Sequence, residues 1–171
     1  MASFIENMSP KEWEAFCEIM LRHHYGAKNF WVVPDQDGGD LGLEFYTIDG
    51  TIFQCYYPEK GVEMKIYKQK IQKKIREDLK KLKDNEKEIA KLMDDIVVNQ
   101  WVLLTPENKS KELITYCNKK KKETVSENIS YIDNNDFVVK IETADTFRDG
   151  MLFAQSVYSS AIDIPLMEVT D

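Results

Sequence analysis

Asp40, Glu44 and Gln54 bring three oxygen-bearing side chains into one short stretch of the chain, residues 29–58. Oxygen donors held close together suit a hard divalent cation, since magnesium is content with one or two carboxylates, a carbonyl and several waters. Nowhere else does the chain gather so many such groups on what reads as rigid structure. The donors begin in an acidic, glycine-rich turn (Asp35, Asp37, Gly38, Gly39, Asp40), whose residue types equally suit a solvated loop.

The element that must position them reads as a β-hairpin. Leu41 to Ile48 and Thr51 to Tyr57 are apolar runs rich in Phe, Tyr, Ile and Thr, which fit a pleated, half-buried surface. Asp49-Gly50 between them is a strong hairpin signal. Two registers are open. A two-residue turn at Asp49-Gly50 sets Glu44 opposite Cys55. A three-residue loop, Ile48-Asp49-Gly50 with Gly50 left-handed, sets Glu44 opposite Gln54 and places both on one face.

Around the hairpin the chain alternates helices and strands. Ser9, Pro10 and Glu12 spell a capping box, and Trp13, Phe16, Cys17, Met20 and Leu21 form one apolar helical face that Gly26 ends. A short strand is expected over Phe30 to Val33, before the hairpin. Residues 62–93 read as helix on an apolar stripe of Ile71, Ile75, Leu79, Leu82, Ile89 and Leu92. Lys83-Asp84-Asn85 leaves open whether this is one helix or an antiparallel pair. Ile96 to Leu104 reads as a buried strand, and Ser110 as the cap of a helix to about Lys121. Ser126 to Ile132 is a possible short strand, Asn134-Asn135 a turn and Phe137 to Ile141 a strand. A last helix starts at Thr143 or Asp145 and runs to about Ala161, with Ile164-Pro165 beyond it. The order predicts an α/β architecture, a mixed sheet flanked by helices, in one domain over 1–171. Its parts are a motif core (10–58), a helical elaboration (62–94) and the remaining sheet and helices (96–161).

The chain has 171 residues, is 43% hydrophobic and 31% charged, and carries a net charge of −7. That is a soluble globular composition, with no apolar run of membrane-spanning length and no N-terminal signal pattern. Cys17, Cys55 and Cys117 are far apart with no CxxC spacing, which argues against a zinc site or disulfide framework and for a reducing, cytoplasmic setting. Charge is uneven: lysines dominate between Lys60 and Lys91 and at Lys119 to Lys122, and acids dominate from Glu123 onward. Two readings fit the lysines. They are a solvated amphipathic face, or, through Lys60, Lys65, Lys68, Lys73, Lys119 and Lys120, a phosphate-contacting surface. His23 and His24 sit at the end of the first helix and read as structural. Cys55, on a buried-looking strand, is a poor nucleophile.

Three short pieces occur in an order that resembles the PD-(D/E)xK nucleases, with Mrr-like and related phage-defence endonuclease domains the nearest likeness. They are Trp13-Glu14 on the first helix, Gly39-Asp40-Leu41-Gly42-Leu43-Glu44, and Gln54-Cys55-Tyr56 on the next strand. The likeness covers residues 10–58 by motif and the rest by element order. It implies a restriction endonuclease-like fold and a metal-dependent DNA endonuclease, the effector domain of a prokaryotic anti-phage defence system. It implies Mg²⁺ or Mn²⁺ as cofactor, which polarises the phosphoryl oxygen and generates the attacking hydroxide. It implies metal ligation by Glu44, with Asp40 as fallback, and by Gln54 or its backbone neighbour, and an outer carboxylate from Glu14. The implied partners are double-stranded DNA and a sensor or ATPase subunit, in an oligomer away from any membrane.

One departure matters. The motif lysine is Tyr56 here, and a tyrosine near its normal pKa is neutral at pH 7. Either a lysine of the following segment (Lys60, Lys65 or Lys68) reaches the site, or the domain binds nucleic acid without cutting. A catalytically degenerate DNA-binding or assembly subunit is therefore an alternative. An interaction domain that oligomerises through its amphipathic helices is a third.

Overall fold

The computed structural model describes residues 2–34 and 41–170. The acidic turn, Asp35, Asp37, Gly38, Gly39 and Asp40, lies outside the described residues. A five-stranded mixed sheet carries the fold, with strand order β1-β2-β3-β4-β5. β1 (Phe30–Val32), β2 (Phe45–Thr47) and β3 (Thr51–Cys55) form an antiparallel meander, and β4 (Gln100–Leu104) and β5 (Val138–Glu142) continue it in parallel. β3 is the central strand, and residues 51–54 on it are all buried, as a strand covered on both faces requires.

Helices cover both faces. On one lie α3 (Met64–Asp84), α4 (Glu86–Met93) and α5 (Lys111–Ser126), whose apolar stripes pack on Ile52, Trp101, Leu103 and Val139. On the other lie α2 (Pro10–Tyr25) and α6 (Arg148–Thr170), packed on Phe45, Phe53, Val102 and Leu104. The crossovers from β3 to β4 and from β4 to β5 run in the same direction, so helices of one crossover hand share a face. A short α1 (Ala2–Glu6) precedes α2; it has no strong periodic signal in the sequence. Among the described residues no helix is long and apolar enough to cross a membrane.

The local signals account for the elements that matter here. Both hydrogen bonds of the capping box form: the Glu12 N–H donates to Ser9 Oγ, and the Ser9 N–H donates to Glu12 Oε1 at 3.0 Å. All five residues of the α2 apolar face are buried. Burying each large side chain of that kind contributes about 1.5–3 kcal/mol. The hairpin takes the three-residue loop. Phe45 faces Phe53 and Tyr46 faces Ile52, which sets Glu44 opposite Gln54. Gly50 has φ +87°, and a Cβ there would lie 2.3 Å from the Val97 carbonyl oxygen, so the loop needs glycine on both counts.

The long helical stretch breaks at Asn85, whose N–H and side-chain amide both donate to the Lys81 carbonyl. Ser110 precedes α5 without a side-chain cap, and α5 runs on to Ser126. Where a strand was expected over Ser126 to Ile132 there is a turn and a single parallel bridge, Val98 to Ile132. A 3-10 turn over Ala144–Phe147 precedes α6, which extends through Pro165 to Thr170 rather than stopping near Ala161.

Candidate functional site

Glu44 is fixed where the chain enters β2. Its C=O accepts from the Val33 N–H at 2.8 Å, and its own N–H donates to the Phe53 carbonyl at 2.9 Å. Its side chain reaches the central strand, where Oε1 accepts the Cys55 N–H at 2.5 Å. The carboxylate thus fills the place a longer β2 would have given to a backbone carbonyl. It sits at the end of the sheet, between the two helical layers.

Each layer sends a charged group to it. From α2 comes Glu14, one residue after the buried Trp13, whose indole N–H donates to the Leu104 carbonyl at 3.2 Å. The Glu14 carboxyl lies close enough to that of Glu44 to raise it. From α3 comes Lys74, whose ammonium acts electrostatically on Glu44. Glu14, Glu44, Gln54 and Lys74 line one cavity of about 360 Å³, walled by Val33, Leu41 and Leu43. Gln54 is 2% exposed, deep on the central strand.

The electrostatics follow from this placement. Burial pushes the Glu44 carboxyl well above the usual carboxylate range, to about 8, and the neighbouring Glu14 adds to the rise. The Cys55 N–H and the Lys74 charge work in the opposite direction. A buried carboxyl with a second carboxyl beside it favours a cation in place of its proton.

Lys74 is held from behind. Asp78, one turn further along α3, lies 3.0 Å from its ammonium and 3.6 Å from that of Lys81. Asp78 is 1% exposed. The Leu41–Glu44 segment docks on this part of α3 through Gly42. Its φ is +90°, a Cβ would lie 2.6 Å from the Asp78 carbonyl oxygen, and its own carbonyl accepts the Trp101 indole N–H at 3.2 Å.

Glu14, Glu44 and Gln54 therefore come together, as their spacing suggested, and Asp40 lies outside the described residues. Tyr56 does not line the cavity; it packs beside the α3 layer, and its N–H donates to the Leu104 carbonyl. The lysines expected to replace the motif lysine also lie elsewhere. Lys60 sits over the Tyr57 ring, Lys68 pairs with Glu112 at 2.7 Å, and Lys65 is exposed on the first turn of α3. The lysine at the site is Lys74, which sequence reasoning missed. A signal for it exists: Asp78 continues the 4-3-4 spacing of Ile71, Ile75 and Leu82, a carboxylate on a buried stripe that demands a partner such as Lys74 four residues earlier.

Of the other lysines singled out, Lys73 and Lys119 are exposed and Lys120 pairs with Glu123 at 2.8 Å. His23 stacks on Phe153 and His24 meets Phe147 edge-on, both packing roles. The thiols of Cys17 and Cys55 are hydrogen-bonded to each other, and burial raises both. Neither is poised as a nucleophile.

The donor chemistry fits Mg²⁺ or Mn²⁺: two carboxylates and one amide, all hard oxygen ligands. Among the described residues no three His, Cys, Asp or Glu side chains converge, and the Gln54 amide lines the same cavity as Glu14 and Glu44. Comparison with protein-family models, with curated proteins and with solved structures finds no match to this chain.

Proposed function

We propose that this chain is a metal-dependent nuclease that hydrolyses phosphodiesters of DNA, built on a restriction endonuclease-like core. The observation that carries the reading is the meeting of Glu14, Glu44, Gln54 and Lys74 in one cavity at the end of the central strand. The order of elements supports it too: a helix, an antiparallel meander, then a helix and a strand parallel to the third.

The residues would divide the work as follows. Glu44 and Gln54 would hold Mg²⁺ or Mn²⁺, with Glu14 alongside and Asp40 a further proposed ligand. The cation supplies Lewis acidity toward the phosphoryl oxygen and a more acidic bound water. Lys74 holds its ammonium beside the carboxylates, orients the attacking water and offsets charge that develops on the phosphate. It takes the task that Tyr56 cannot perform. The role in phage defence, and the sensor or ATPase partner, belong to this proposal by resemblance alone.

The test is cleavage of supercoiled plasmid with Mg²⁺, with Mn²⁺ and with EDTA, using wild type and Glu44→Ala. Divalent-dependent nicking that Glu44→Ala abolishes is the expected result. Metal-dependent nicking that Glu44→Ala leaves intact would overturn the assignment of the site.

A further inference from the structure

A second cavity, of about 350 Å³, opens where the chain leaves β3 and β4. Tyr57, Lys60, Tyr67 and Lys109 line it, together with Glu6, Glu59 and Glu107. Both tyrosine rings are pinned. The Tyr57 hydroxyl donates to the Ile5 carbonyl at 2.6 Å, and the Tyr67 hydroxyl donates to the Glu107 carbonyl at 3.1 Å. A ring already fixed loses little conformational freedom when a ligand stacks on it. Each ring also carries a lysine: Lys60 Nζ lies 5.7 Å from the Tyr57 centroid, and Lys109 Nζ, which also pairs with Glu107 at 3.2 Å, lies 5.5 Å from the Tyr67 centroid. Tyr67 is buried, so the half-buried Tyr57 offers the face on which a base can stack.

A rigid aromatic face beside a cation is what a nucleotide needs, a platform for the base and a counter-charge for the phosphate. Glu6, exposed in the lining, supplies an acceptor for the ring N–H and amino groups of a base. A paired base buries both its faces and its hydrogen-bonding edge, so only an unpaired one satisfies this set. The cavity also lies beside the first one. Tyr57 follows Cys55 by two residues, and Tyr67 and Lys74 share a face of α3, separated by seven residues or about 10 Å of helix rise.

We propose that this second cavity holds an unpaired nucleotide of a DNA or RNA strand whose backbone passes the first cavity. The proposal rests on the nuclease reading for its meaning, but its test does not depend on cutting. Binding of short fluorescein-labelled strands to the full chain is measured by anisotropy in EDTA. The strands are single-stranded DNA, single-stranded RNA, the same DNA with abasic sites, and a blunt duplex.

An intact single strand is expected to bind about tenfold more tightly than its abasic counterpart, as stacking of one base provides. It is also expected to outbind the duplex, and the tighter of DNA and RNA names the substrate. Tyr57→Ala is expected to remove that preference, whereas Tyr57→Phe, which keeps the ring, retains it; the surface pair Lys60→Glu/Lys109→Glu is expected to weaken intact and abasic strands alike. Equal binding of intact and abasic strands would overturn the proposal, as would strand affinity left unchanged by the lysine reversals. Absence of cleavage in Mg²⁺ with base-dependent binding intact would count against the catalytic centre and leave this site standing.

Discussion

Asp78 and Lys74 form an ion pair of 3.0 Å in which the carboxylate is buried and the ammonium reaches the cavity beside Glu44. Removing a charge partner from a buried carboxylate is costly, and Lys81 at 3.6 Å shares the load. Asp78→Asn keeps the shape and removes the charge. It is expected to lower unfolding stability by about 2 kcal/mol, the scale of a hydrogen bond to a charged group. It is also expected to slow cleavage by loosening Lys74. Urea denaturation at neutral pH checks the first, and single-turnover kinetics at saturating Mn²⁺ the second.

Gly42 sets how closely the Leu41–Glu44 segment approaches α3. Gly42→Ala introduces a side chain at φ +90° and drives its Cβ to 2.6 Å from the Asp78 carbonyl oxygen. A strained conformation of that kind costs about 1–3 kcal/mol, and the clash adds to it. The expected result is a lower denaturation midpoint with an unchanged m-value. Cleavage is expected to fall as well, since Glu44 and Lys74 are positioned by the two sides of this contact.

Glu44 links stability, and the proposed metal affinity, to pH. Its folded-state carboxyl is raised to about 8, first by burial and then by Glu14. An unfolded glutamate titrates at about 4.3. Between those values the folded state holds the proton more tightly, so stability is full below the lower value and declines as pH rises toward 8. Glu44→Gln removes that slope: wild type loses stability relative to the variant between pH 5 and pH 8. A divalent ion displaces the proton, so Mn²⁺ is expected to raise the wild-type melting temperature more at pH 8 than at pH 6. The same ion is expected to leave Glu44→Gln nearly unmoved. Melting curves at the two pH values, with and without Mn²⁺, read both effects.

The exposed lysines bear on DNA affinity in a different way. Lys68 and Lys120 are already paired with Glu112 and Glu123, whereas Lys65 and Lys73 are exposed on α3. Lys65→Glu/Lys73→Glu is expected to weaken duplex binding at all sequences alike. It should also reduce the slope of log affinity against log salt by about 2, near one unit for each phosphate no longer neutralised. Anisotropy titrations across salt concentrations measure that slope.

The parts that were legible in the sequence are those set by local chemistry. Ser9 and Glu12 announce α2 because a capping box is a four-residue contract. Gly50 marks the hairpin loop because its left-handed backbone favours a residue without Cβ, and that loop makes Glu44 face Gln54. Lys74 was not legible by motif spacing, since it arrives from α3 through tertiary packing on Leu41–Glu44 rather than along β3. Tyr56 shows why the linear motif misleads here: its strand neighbour Gln54 reaches the cavity, while its own ring packs beside the α3 layer. The break at Asn85, left open by Lys83-Asp84-Asn85 in the sequence, is decided by an amide bonded back to the Lys81 carbonyl.

The central claim is that Lys74 and Glu44 act together on a phosphodiester, and Lys74→Met tests it most directly. The substitution keeps the length of the side chain and removes its charge. Plasmid cleavage in Mn²⁺ is followed for wild type and Lys74→Met, with circular dichroism and Mn²⁺-induced stabilisation as controls for fold and metal binding. The account predicts a rate about 10²-fold lower, the loss typical of removing one transition-state donor, with both controls preserved. Cleavage at the wild-type rate by a folded Lys74→Met protein would contradict it.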